Sequence, residues 1–131
     1  MLKNLYRFHG HGSLRYVYKN GRAIRSHPLT IKYIKNSHRK NSRFAVVVSK
    51  KVLKSAVGRN RIRRRIYEIL RAQIPHLVSP HDIVILVFSS EVIVLPNDEL
   101  VGLIQQLFTQ AELYKSQSEN AIIDKSTTEG A

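Results

Sequence analysis

The stretch SAVGRNRIRRRIYEILRAQIP, residues 55–75, constrains the fold more than any other part of the chain. Ile62, Ile66, Ile69 and Leu70 recur at i, i+4, i+7 and i+8, which on a helix makes an apolar stripe about 100° wide. Ser55 can cap the first turn and Pro75 cannot continue the last, so the spacing predicts a helix over 56–73. That stripe has to be buried against something. Yet six arginines fall within residues 59–71 of the same element. Arg61 and Arg65 flank one side of the stripe, Arg63 the other, and Arg64 points away from it. Arg59 projects towards the apolar side, which requires either an irregular first turn at Gly58 or an arginine stem running along a sheet edge. Like charges at 59/63 and 61/65 cost roughly a few tenths of a kcal/mol each in an isolated helix. Glu68 is the one acid in the element. A polyanion would reverse that cost by releasing its counterions. Arginine also suits folded RNA, because its planar fork bonds two phosphate oxygens at once and stacks on bases. Asn60 can reach a base edge or a 2′-hydroxyl, or bond locally in the first turn.

The surrounding elements supply a place to bury the stripe. Residues 11–20 suit a short helix with Ser13 as N-cap, Leu14, Val17 and Tyr18 on one face, and Asn20-Gly21 as its stop. In 29–34, LTIKYI, Leu29, Ile31 and Tyr33 point one way and Thr30, Lys32 and Ile34 the other. The run KNSHRKNS at 35–42 is a basic turn region. FAVVV at 44–48 is continuously apolar, which suits a central strand covered on both faces. IVILVF at 83–88 reads as a second buried strand. Asn97, Asp98 and Glu99 open a last helix whose stripe is Leu100, Leu103, Ile104, Leu107, Phe108 and Ala111. With a short extra strand near Ala23–Arg25, the order is α-β-β-β-α-β-α. The expected fold is α+β, a small sheet with helices on one face and the Thr30/Lys32 face partly open. Residues 1–114 form one domain in this reading, and 115–131 a disordered tail.

Charge narrows the function. The net charge is +13, and it is lopsided: residues 1–71 carry 20 Lys and Arg against a single acid, whereas 72–131 carry two against eight. Such a field attracts polyanions, with nucleic acid first and an anionic membrane surface second. There is no cysteine, which excludes disulfides and cysteine-based zinc sites. No apolar run approaches the ~18 residues of a membrane span. MLKNLYRFHGHGS lacks the apolar core of a signal peptide, so a soluble cytoplasmic protein is expected.

SKK at 49–51 followed by AVGRNRIRRR at 56–65 resembles the bacterial ribonuclease P protein subunit, and the likeness runs from about residue 12 to 114. The resemblance implies a mixed four-stranded sheet with helices packed on it and a left-handed β-α-β crossover around the arginine helix. It implies a subunit that binds the catalytic RNA of ribonuclease P and the 5′ leader of precursor tRNA. That subunit promotes endonucleolytic removal of the leader to give the mature tRNA 5′ end. Chemistry is expected from the RNA and Mg²⁺ bound mainly by it, with no catalytic side chain here, and the protein is expected as a monomer in the complex. By position, Arg59, Asn60, Arg61, Arg63 and Arg64 would face the catalytic RNA. A cleft floored by the sheet would hold the leader, with Leu14, Tyr18 and Tyr33 as surfaces and Lys50, Lys51 and Lys54 as charge. This sequence departs from the family at Leu14, which is not aromatic, at Tyr67, where arginine is frequent, and in the connection VLKS, one residue longer than the usual form.

Other constellations are weaker. His9-x-His11 is flanked by glycine and reads as a polar turn rather than a metal site. Acids are nearly absent from the basic half, which argues against a two-metal nuclease centre there. Tyr6, Phe8, Tyr16, Tyr18, Tyr33 and Phe44 interleave with basic residues, as in single-strand binders. The competing class is a structural RNA-binding module such as a ribosomal protein. It shares the sheet and basic helix, and lacks a reason for the SKK, AV and RNR series. A DNA-binding repressor fits less well, because the basic helix is followed by a strand instead of sitting in a short helix-turn-helix.

Overall fold

A computed structural model describes Tyr6, Phe8 and residues 11–36, 40–78 and 80–115. The tail expected from 115 onwards therefore lies, apart from Lys115, outside the described residues, as does His9. The elements are α1 (His11–Asn20), β1 (Arg22–Arg25), β2 (Leu29–Lys35), β3 (Arg43–Val48), α2 (Ala56–Gln73), β4 (His81–Val87) and α3 (Asn97–Gln110). Short 3₁₀ turns follow α2 at Ile74–His76 and β4 at Ser90–Ile93. Among the described residues no helix is long and apolar enough to cross a membrane.

The sheet order is β1-β2-β4-β3, antiparallel except for the parallel β3/β4 pair. This corrects the reading of 44–48. FAVVV is an edge strand, and β4 is the central one beside β2. Its apolar run has a different cause. Phe44, Val46 and Val48 enter the core, while Ala45 and Val47 are only half-buried on the opposite face. Phe8 also approaches the outer edge, where its N–H donates to the Phe44 carbonyl at 3.4 Å.

One face of the sheet carries Leu29, Ile31, Phe44, Val46, Val48, Ile83, Ile85 and Val87, and buries them under α2 and α3. The α2 stripe of Ile62, Ile66, Ile69 and Leu70 is buried as its spacing requires. Tyr67 joins it, and its hydroxyl accepts from the Val46 N–H at 3.3 Å. In α3, Leu100, Ile104, Leu107 and Phe108 are buried and Leu103 partly so. The N-cap of α3 is Pro96, whose carbonyl accepts from Glu99 and Leu100, so Asn97 is the first helical residue. Asp98 and Glu99 occupy the first turn, where the helix dipole favours acids.

The helices do not all share one face. α1 lies against β2 and β4 on the far side, where Val17 and Val84 are fully buried outside the main core. It begins at His11, so Ser13 is inside the helix and is not its cap. It stops at Asn20, and Gly21 turns tightly beneath it. A Cβ there would stand 2.7 Å from the Val17 carbonyl oxygen and 2.9 Å from that of Tyr33. Glycine is needed at this point because two backbones approach too closely for a side chain.

Candidate nucleic-acid interface

The arginine helix begins as its sequence requires. The Ser55 hydroxyl accepts from the Gly58 N–H at 3.0 Å. With that role filled, exposed Asn60 is not needed for capping. The arginines then divide into two sets. Arg59 turns back, and its Nη1 donates to the carbonyls of Leu53 (2.9 Å) and Lys54 (2.8 Å). The first turn stays regular, and the guanidinium staples the preceding loop to the helix. Arg65 reaches across to the segment before α3, donating to Val92 (2.7 Å), Ile93 (3.0 Å) and Leu95 (2.6 Å). Both side chains satisfy carbonyls that regular structure leaves unpaired.

Arg61 and Arg64 are exposed and Arg63 half-buried. Glu68 pairs with Arg71 at 3.1 Å across one turn. Arg61, Arg63 and Arg64 have no ion pair among the described residues, so their charge is available to a partner. Lys50, Lys51 and Lys54 are all exposed in the loop between β3 and α2. Arg59 ties that loop to the helix, making lysines and arginines one basic unit.

A second surface lies across the sheet. Arg25, Ser26, His27, Thr30, Lys32, Leu86 and Phe88 line a groove of about 540 Å³ on the face that bears α1. Tyr18 borders it, with the Lys32 Nζ 5.3 Å from the ring centroid. Partial burial raises the Tyr18 pKa above its usual value, so the phenol stays neutral at physiological pH. Leu14, one helical turn earlier, is half-buried. Among the described residues no carboxylate lines the groove. Glu91 near it accepts from His27 (3.1 Å) and from the Ser89 hydroxyl (3.1 Å). Because Val48 pairs with Val87, Ser49 and Lys50 leave β3 beside Phe88. The lysine loop thus connects the arginine helix to one end of the groove.

Tyr33 is not part of this groove. It lies on the core face of β2, partly buried, with its ring 6.3 Å from that of His81. The groove position on β2 belongs to Lys32, its neighbour, since side chains alternate between faces. Sequence reasoning passed over Lys32, Arg25, His27 and Phe88 as site residues. The alternation in LTIKYI carried the signal for Lys32. Phe88 looked like the end of a buried strand, but it falls one residue past β4 and is 59% exposed.

The sequence model for ribonuclease P matches residues 2–112. The ribonuclease P protein component of Carboxydothermus hydrogenoformans is 37% identical over 108 residues, covering 82% of this chain and 89% of that protein. The component from Chloroflexus aurantiacus is 32% identical over 127 residues, covering 97% and 93%. Among solved structures, the Staphylococcus aureus RNase P protein superposes with a TM-score of 0.74 at 21% identity, over 84% of this chain and 98% of that one. The Thermotoga maritima protein gives 0.68 at 23%, over 77% and 94%. These two likenesses establish the fold, and the sequence matches establish kinship: the chain belongs to the ribonuclease P protein family.

Proposed function

We propose that this protein is the ribonuclease P subunit that joins the catalytic RNA to precursor tRNA, and that it promotes endonucleolytic removal of the 5′ leader. The observation that carries the reading is the pair of basic surfaces on opposite faces of one sheet. Arg61, Arg63 and Arg64, which make no ion pair among the described residues, present charge to the catalytic RNA, and Asn60 an amide. The groove bordered by Tyr18 and floored by Thr30, Lys32 and Leu86 takes the single-stranded leader. Stacking on an aromatic ring and cations along a backbone are what single strands need. Arg59 acts through the loop it holds, fixing where Lys50, Lys51 and Lys54 stand between the two RNAs.

Among the described residues no three His, Cys, Asp or Glu cluster to hold a metal ion. Asp82 is committed to Arg43 and Asn36, and Glu91 to His27. The ion belongs, in this reading, to the RNA subunit. The protein's part is electrostatic: a cationic layer between two RNAs lowers the repulsion that dissolved cations would otherwise have to screen.

Reconstitution tests the proposal. The protein alone should not cleave precursor tRNA, and at low divalent concentration cleavage by the cognate RNA should depend on adding it. The gain should grow with leader length and shrink for Tyr18→Ala. Protein-independent rates at low divalent concentration would sink the cofactor reading. A gain indifferent to leader length would sink the groove assignment.

A separate measurement addresses the helix. Arg61→Ala and Arg64→Ala should weaken binding to the catalytic RNA while leaving the melting temperature unchanged. Each lost phosphate contact should flatten the slope of log K against log salt by roughly 0.7–0.9. Parent affinity and parent slope in both variants would mean that this face is not the RNA surface.

A further inference from the structure

We propose that Phe88 is a second base-stacking platform in the groove, so that the protein grips two different leader nucleotides, one on Tyr18 and one on Phe88, with Lys32 between them. The inference rests on the leader-binding reading of the groove and adds a site to it. Phe88 is 59% exposed and lines a concavity together with Arg25, His27 and Lys32. An exposed aromatic beside Arg25 and Lys32, with no carboxylate among the described lining residues, has the chemistry of a single-strand site.

The ring stands on a fixed base. The Phe88 N–H donates to the Pro28 carbonyl at 2.9 Å, continuing the β2/β4 ladder by one residue. The Ser89 hydroxyl accepts from the Glu91 N–H at 3.3 Å and donates to the Glu91 carboxylate, which in turn holds His27. Little backbone freedom remains to be lost when a base lands there.

Spacing makes the two platforms separate. Lys32 is opposite Val84 in the ladder, and Phe88 is four residues further along the same strand. At ~3.3 Å per residue that places the Phe88 backbone about 13 Å along the sheet from the register position of Lys32, which meets the Tyr18 ring. With that offset between their backbones, the two rings are placed to meet successive parts of one strand rather than one base. Ser26 adds a polar group at the Phe88 end. Among the described residues its buried hydroxyl has no hydrogen-bond partner, and it lies in the groove lining, where rotation about Cα–Cβ would offer it to a base edge or a 2′-hydroxyl.

The test uses the reconstituted holoenzyme and precursor tRNAs whose leaders grow one nucleotide at a time. Phe88→Ala and Phe88→Leu are compared with Tyr18→Ala, after melting temperatures confirm that each variant folds. Both Phe88 variants should lose about tenfold in precursor affinity once the leader reaches Phe88, and nothing with shorter leaders or mature tRNA. The loss for Tyr18→Ala should begin at a different leader length. An abasic nucleotide at one leader position should make the parent and Phe88→Ala bind alike. If the Phe88 variants bind every leader as the parent does while Tyr18→Ala loses leader dependence, the second platform is overturned and the groove reading survives. If neither residue affects leader binding, both fall. A loss that extends to leaderless tRNA would also overturn the platform, because stacking on a leader base could not cause it.

Discussion

Asp82→Ala is expected to lower stability by about 3–5 kcal/mol, because it strands a buried charge. Arg43 and Asp82 face each other across the parallel β3/β4 pair, and both side chains are 6% exposed. The contact is a two-pronged fork: Nε to Oδ1 at 3.0 Å and Nη2 to Oδ2 at 2.7 Å. The Asn36 amide adds bonds of 3.2 and 3.1 Å to the two carboxylate oxygens. The Phe8 ring lies 4.9 Å from the guanidinium carbon and helps close off that side. Without the carboxylate, the guanidinium keeps its desolvation cost and loses its compensation. The pair as a whole is worth far less than this, since removing both partners removes both costs. The combination Arg43→Met with Asp82→Leu should therefore be much closer to the parent than Asp82→Ala. Urea unfolding of the two single variants and the double variant gives the coupling directly. A loss below about 1 kcal/mol for Asp82→Ala would mean that water reaches Arg43 and that the fork does not pin β3 to β4.

Ile66→Asp should be at least as damaging, and by another mechanism. Ile66 is fully buried in the stripe that fastens α2 to the sheet. Losing the side chain costs about 2–5 kcal/mol, judged from truncations at comparable sites. A carboxylate in the same place has no partner in the apolar core and adds a desolvation penalty. Against a typical domain stability of roughly 5–15 kcal/mol, the variant is expected to be largely unfolded at moderate temperature. Arg64→Asp, two positions earlier and exposed, should melt within about 0.5 kcal/mol of the parent yet lose affinity for RNA. Circular dichroism melts and RNA titrations of both variants separate the two faces of one helix. An unchanged melt for Ile66→Asp would reverse the assigned orientation.

Local physics made much of this legible in the sequence. The limits of α2, its Ser55 cap and its buried stripe follow from side-chain chemistry within a few residues and from the 3.6 period. The alternation in LTIKYI separated Thr30 and Lys32 from Leu29, Ile31 and Tyr33 before any fold was known, and so already opposed a place for Tyr33 in the groove. The resemblance carried by SKK, AV and RNR reached the family and the sheet. Contacts distant along the chain were not legible. FAVVV is apolar enough for a central strand, and only the β1-β2-β4-β3 order puts it at an edge. Arg65 looks like Arg61 in the sequence, but its carbonyl partners lie 27 to 30 residues away. The groove brings together residues 25–32 with 86–88, and Tyr18 beside them. A periodic pattern states which side chains share a face. What covers that face, and which charged groups are left for a partner, is decided by long-range register and by the carbonyls that the finished fold leaves unpaired.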